Sequence, residues 1–340
     1  MFDFLFKSKK ESKKEKSISK NKSKLHFVNK DTILLKKYNM IIYYNILLKY
    51  PSLVIEVFES KPKNIGIHRS KMGEPFGPDP SIPLKYQYTK DEYINYSKHG
   101  GSYGHNAAAF IHKDGVENYK STYLFTNICP QEVVFNSGLW LLFEGISESI
   151  LNKYNGGMII NGSIKGKDRI FNGSKINVPS HMFKIIIYKN NITNNITNNI
   201  TNKNQYVCFV AKNKPYYIDE DIKKYKNQKY DLSKYTMDLD AFQKKFGLTL
   251  MSNQTSLEKG NENYIMANTN RITQMENAAL YGKIIYAKSE GELNKVAPNP
   301  DKLPEFHKIY YGYKKEYFSK NPNIEKMEAL LNKSMSNPIF

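Results

Sequence analysis

Cysteine is nearly absent from this chain. Cys129 and Cys208 are the only two, too few for a disulfide scaffold or a cysteine-built zinc cluster, and they fit a reducing compartment. Arginine is almost as scarce, with Arg69, Arg169 and Arg271 alone, so the positive charge is carried by lysine. No apolar run reaches the length of a membrane span. Met1 to Phe6 is apolar but gives way at once to lysines, too soon for a signal-peptide core. Together these absences lead us to expect a soluble intracellular protein with no integral membrane segment and an unassigned compartment.

Lysine, asparagine, isoleucine and tyrosine, by contrast, are abundant. The formal charge of +19 draws a protein toward polyanions, nucleic acid first and an anionic membrane surface second, because each neutralised phosphate releases a counterion. An AT-rich coding bias accounts for much of the same composition, so charge supports such a partner without establishing it. The length of 340 residues is served by one compact domain with terminal extensions as well as by two domains.

Three regions are expected. Residues 1–27 form a basic arm of Lys, Ser and Glu with too little apolar surface to offset ordering entropy. Residues 28–255 hold the main domain, and residues 256–340 a helical extension with apolar spacing around Met275 to Tyr286 and Met327 to Leu331. Within the domain, Asp31 reads as the N-cap of a helix from Thr32 to Lys49 that Pro51 stops. Lys90 to Ser97 reads as a short helix and Phe135 to Leu151 as a packed one.

Short strands are expected at Val54 to Phe58, Tyr123 to Thr126, Met158 to Ile164, Phe183 to Tyr188 and Tyr206 to Ala211, giving a mainly antiparallel sheet. Residues 190–204 enclose a threefold Asn-Ile-Thr-Asn repeat, read as an expanded hairpin loop. Its glycosylation sequons carry little weight in a chain without a secretory signal.

The chemistry concentrates in three stretches: Ser102-Tyr103-Gly104-His105, Thr126-Asn127-Ile128-Cys129-Pro130-Gln131, and Phe135-Asn136-Ser137-Gly138-Leu139-Trp140 with Glu144 beyond. A histidine near neutral pKa takes a proton from water. Asn136 and Glu144 lie eight positions apart, on roughly one side of a helix, where an amide oxygen and a carboxylate can hold a hydrated Mg²⁺. Taken singly, each has a plain alternative: a turn histidine, an asparagine helix cap, a surface glutamate.

In that order the three stretches resemble the DNA/RNA non-specific endonuclease family that includes endonuclease G. Val178-Pro179-Ser180-His181-Met182-Phe183-Lys184 is similar to a further strand motif of that family, and the likeness spans about Leu53 to Asn253. The resemblance implies an α+β fold, the ββα-metal finger nuclease fold around a mainly antiparallel sheet with flanking helices. It implies His105 as general base, Asn136 as direct metal ligand, Glu144 as a carboxylate acting on the metal's water, Asn127 as polar support for histidine and substrate, and a structural His181. The cofactor implied is Mg²⁺, with Mn²⁺ as the alternative ion. The partners implied are DNA and RNA, cleaved to leave 5′ phosphates. Dimers are common in that family, which leaves a homodimer open.

One motif departs from the family pattern. Where the family carries Asp-Arg-Gly-His, this chain has Ser102 and Tyr103 in the first two places, and tyrosine supplies neither a permanent cation nor a bidentate fork. Tyr103 and Arg69, the latter in an upstream loop, are therefore the candidate substrate-binding residues. Two alternatives stand beside the nuclease: a catalytically impaired relative that binds or packages nucleic acid, and an interaction protein in which the extensions matter most.

Overall fold

The computed structural model describes residues 30–72, 74–166, 176–194, 199–215, 230–250, 257–260, 265–266 and 269–320. The basic arm, Arg169 and the apolar cluster at Met327 to Leu331 lie outside them.

A seven-stranded sheet forms the centre. Its strands are β1 (Thr32–Lys37), β2 (Met40–Asn45), β3 (Tyr50–Phe58), β6 (Gly157–Ile164), β7 (His181–Asn194), β8 (Asn199–Lys212) and β10 (Leu257–Lys259), in that spatial order. All neighbours are antiparallel except β10, which runs parallel to β8. A second ladder joins β4 (Gly101–His105) to β5 (Ile128–Glu132). A third joins β9 (Tyr230–Asp231) to β11 (Ile265–Met266).

The helix expected from Thr32 to Lys49 is instead the β1–β2 hairpin. Its isoleucines and tyrosines satisfy a period of two as well as one of 3.6, and Met40, Ile42 and Tyr44 are the buried set. The turn is two residues long, with Lys37 opposite Met40 and Tyr38 at φ 49°, the left-handed region that such turns require. Asp31 caps no helix; its carbonyl accepts from the amide of Ile46. Pro51, expected as a helix stop, is the second residue of β3 and lies opposite the register shift at Tyr43/Tyr44. A bulge is where a ladder tolerates a residue without an N–H.

Both faces of the sheet are covered, so its strands read as near-continuous apolar runs. Along β7, Met182 and Ile186 enter one core with Phe143, Ile146 and Trp140, while Phe183, Ile185 and Ile187 enter the other with Leu239 and Phe242. The first core is closed by a long helix. It comprises α3 (Val133–Phe135), a π-helical turn (Asn136–Trp140) and α4 (Leu141–Lys153). The second core is closed by α5 (Leu239–Phe246). Each large side chain so buried is worth about 1.5–3 kcal/mol of transfer free energy, which makes this long helix the principal clamp on the sheet.

Of the smaller elements, α1 (Lys90–Lys98) falls where expected, capped by a reciprocal Thr89–Glu92 box. Another short helix is α2 (Val116–Ser121). Tyr123 to Thr126, expected as a strand, is a turn with one isolated bridge from Leu124 to Gly77. The two flanks of the repeat expected as an expanded hairpin loop, residues 191–194 and 199–202, lie on a prolonged β7–β8 ladder, paired out to Asn194 opposite Asn199, and its middle, 195–198, lies outside the described residues.

The C-terminal helices are α6 (Thr269–Ile285), α7 (Glu290–Val296) and α8 (Glu305–Lys320). Tyr281 and Ile285 of α6 pack on Val133 and Val134 at the start of the long helix. No helix among the described residues is long and apolar enough to cross a membrane.

Candidate active site

The β4–β5 ladder runs directly into the long helix, and that ββα unit carries His105, Asn127 and Asn136. His105 ends β4 opposite Ile128. Trp140 Nε1 donates to its backbone carbonyl at 3.0 Å, tying strand to helix. The imidazole lies between two rings, with Phe76 at 5.4 Å and Tyr123 edge-on at 4.9 Å. Its Nε2 is buried and has no hydrogen-bond partner among the described residues. Burial, followed by the charges of Arg69 and His112, pushes its pKa down to about 3. At neutral pH the ring is therefore uncharged.

Asn127 is fully buried, and its amide is spent on backbone. Oδ1 accepts from Ala107 N at 3.0 Å, while Nδ2 donates to the carbonyls of Ala107 at 3.0 Å and Thr122 at 2.7 Å. It ties the loop that follows His105 to the turn at Thr122.

The helix begins at Val133, capped by Glu132, whose Oε2 accepts from Phe135 N at 2.7 Å. Asn136 is thus not needed as a cap. It opens the π turn, and its Nδ2 donates to Ser102 Oγ at 2.9 Å, which leaves the carbonyl Oδ1 as the amide's other functional atom. In a regular helix, positions eight apart differ by about 80° around the axis. A π turn absorbs one extra residue and reduces that offset to about 20°, bringing Asn136 and Glu144 closer to one line. Glu144 is 7% exposed.

Tyr103 is packed on both faces, by Phe76 at 4.5 Å and Tyr93 at 4.4 Å. Burial, followed by nearby Glu74, Tyr310 and Asp91, pushes its phenol up to about 12, so it brings no charge. Arg69 does. From a short 3-10 turn its guanidinium sits 5.1 Å over Phe76 and 6.0 Å over Tyr123, the two rings that flank His105. His181 packs edge-on against Phe246 at 5.2 Å and meets Ser180 Oγ, a structural placement.

The donor types suit a hydrated Mg²⁺, which needs few protein ligands: an amide carbonyl left over by the Ser102 contact and a nearly buried carboxylate on one helix. Among the described residues no group of three or more His, Cys, Asp or Glu side chains could hold a metal, so a cation here depends on the amide. Ser102 stands in the sequence as a motif departure and Lys184 as the end of a strand motif, and neither is among the expected catalytic, substrate-binding or metal-binding residues. A lysine within the apolar run Met182 to Tyr188 was the available signal for the second.

Residues 19–257 match the DNA/RNA non-specific endonuclease family. The chain belongs to that family. It is 27% identical over 207 residues to "Nuclease EXOG, mitochondrial" of Xenopus laevis, covering 58% of this chain and 54% of that protein. It is 26% identical over 201 residues to "Nuclease 1, mitochondrial" of Schizosaccharomyces pombe, 55% of each chain. The chain thus spans about half the length of the curated relatives it matches. Among solved structures it resembles a chain of the EndoG/EndoGI complex, with a TM-score of 0.52 and 21% identity over 66% of this chain and 89% of that one. That likeness supports the ββα-metal nuclease fold expected from the motifs.

Proposed function

We propose that this member of the family is a metal-dependent endonuclease that hydrolyses DNA and RNA phosphodiesters with little sequence preference. The observation that carries the reading is the pairing of a neutral imidazole, Nε2 unpartnered, with the guanidinium of Arg69 beside it. An imidazole must be uncharged to accept a proton, and a cation beside it would draw a scissile phosphate within its reach.

In this scheme His105 Nε2 takes a proton from the attacking water, and the resulting imidazolium is stabilised by the incoming phosphate's charge. Arg69 neutralises the equatorial phosphate oxygens, the task for which the motif has no arginine. Asn136 Oδ1 and Glu144 would hold Mg²⁺ or Mn²⁺, which when bound would stabilise the developing charge on the phosphoryl oxygens and on the departing 3′ oxygen. Asn127 and Trp140 keep the His105 strand end in place. Tyr103 contributes packing between Phe76 and Tyr93.

Purified full-length protein should nick circular plasmid DNA and degrade a long RNA in Mg²⁺, and do neither in EDTA. Salt-sensitive binding of both nucleic acids without cleavage in Mg²⁺ or Mn²⁺ would overturn the enzyme reading in favour of a binding or packaging role.

A further inference from the structure

One buried cation next to the site has no part in the scheme above. Lys184 in β7 has no exposed surface. Its ammonium lies 4.6 Å over the ring of Trp140 and donates to Asn161 Oδ1. Asn161 Nδ2 in turn donates to Glu56 Oε1 at 2.5 Å, and the second oxygen of Glu56 meets His112 Nε2 at 2.6 Å. Every member of this chain of contacts is buried.

Its upper end reaches the catalytic unit. Trp140, the only tryptophan in the protein, donates to the His105 carbonyl, and it precedes Glu144 by four residues on the same helix, one turn away. Burial pulls Lys184 below its ordinary value while the charges of Glu56 and Glu144 pull it back up. An indole face and an amide oxygen contact the amine, and the charges of Glu56 and Glu144 offset part of its burial cost.

Stability alone does not call for this arrangement. A buried ionic group is commonly matched or bettered by an apolar side chain of similar volume, and Met182 and Ile186 occupy the neighbouring places on the same face of β7. A charge retained there has work that methionine cannot do.

We propose that Lys184 is a positioning residue for the metal site: its ammonium orders the Glu144 carboxylate and, through Trp140, the His105 strand end, while competing with the divalent cation for that carboxylate. The proposal rests on the nuclease reading. It gives metal binding and turnover opposite signs. Removing the ammonium leaves Glu144 more negative and less ordered, so the cation binds more tightly and the reaction slows.

The test uses full-length wild type, Lys184→Met and Lys184→Gln, the glutamine retaining a donor to Asn161. Mn²⁺ binding is measured by electron paramagnetic resonance without nucleic acid, and single-turnover cleavage at saturating Mn²⁺. Expected is Mn²⁺ binding tighter by about three- to tenfold, with cleavage slower by about tenfold or more. Equal affinity, or affinity and rate falling together, in whichever variant folds overturns the role of Lys184. Absence of Mn²⁺ binding by folded wild type overturns the metal-nuclease reading itself, and with it this proposal.

Discussion

Ser102 Oγ accepts a hydrogen bond from Asn136 Nδ2 at 2.9 Å. The serine stands where the family motif has aspartate, and in the proposed scheme its part is that of an acceptor that turns the asparagine amide so that the carbonyl can face a cation. A hydroxyl fills that part without a charge. Half of the motif's apparent loss is therefore a substitution of one acceptor for another.

Ser102→Ala should raise the Mg²⁺ concentration for half-maximal cleavage by about tenfold, the usual cost of removing a hydrogen-bond partner of a metal ligand. Ser102→Asp should lower it to or below the wild-type value, because a charged acceptor grips the amide harder. A Mg²⁺ titration of plasmid nicking checks both. Identical midpoints in all three proteins would detach this contact from metal binding.

Arg69 is exposed, so its removal should leave the melting temperature in place. Arg69→Ala should lower kcat/KM by about two orders of magnitude, as loss of a transition-state charge donor does, and Arg69→Lys should recover only part of that. Steady-state kinetics on a short duplex distinguish this from uniform weakening, in which KM alone would rise.

Asn127 predicts the reverse pattern. Asn127→Leu strands the buried groups of Ala107 and Thr122, at about 1–3 kcal/mol for each unsatisfied group. Urea unfolding should show a marked loss of stability, and kcat should fall only as far as the His105 loop is disturbed.

Glu132 sets a pH dependence of stability. Burial, opposed by hydrogen bonds from the helix amides and the Tyr286 hydroxyl, raises its pKa from 4.5 to about 7. A carboxyl raised on folding stabilises the folded state fully below 4.5 and loses that contribution as pH rises to about 7. The wild type should accordingly lose stability relative to Glu132→Gln between pH 4.5 and 7, with a constant difference above. Thermal melts of both proteins across that range give the answer, and a flat difference would contradict the raised value.

How far the sequence was legible depended on how local each feature is. His105, Asn136 and Glu144 stood out as candidates because their spacing along the chain is itself the signature, and β6, β7 and β8 were legible because their apolar runs are bounded by turns. The β1–β2 hairpin was misread because Ile33, Leu34, Met40, Ile41, Ile42 and Leu47 recur at roughly helical spacing, while the alternation that places Met40, Ile42 and Tyr44 on one strand face and Ile41 on the other is settled only by pairing with β3. The π turn leaves no mark in apolar spacing. The approach of Arg69 to His105 runs through Phe76 and Tyr123, rings that no local pattern connects.

The central claim is that His105 is the base of a working site. The most direct test is single-turnover cleavage of a DNA duplex in Mg²⁺ by wild type and by His105→Ala, with melts to confirm that both are folded. The account predicts metal-dependent cleavage by wild type, leaving 5′ phosphates, and a rate lower by about two to four orders of magnitude in the variant. Equal cleavage by two folded proteins would contradict it.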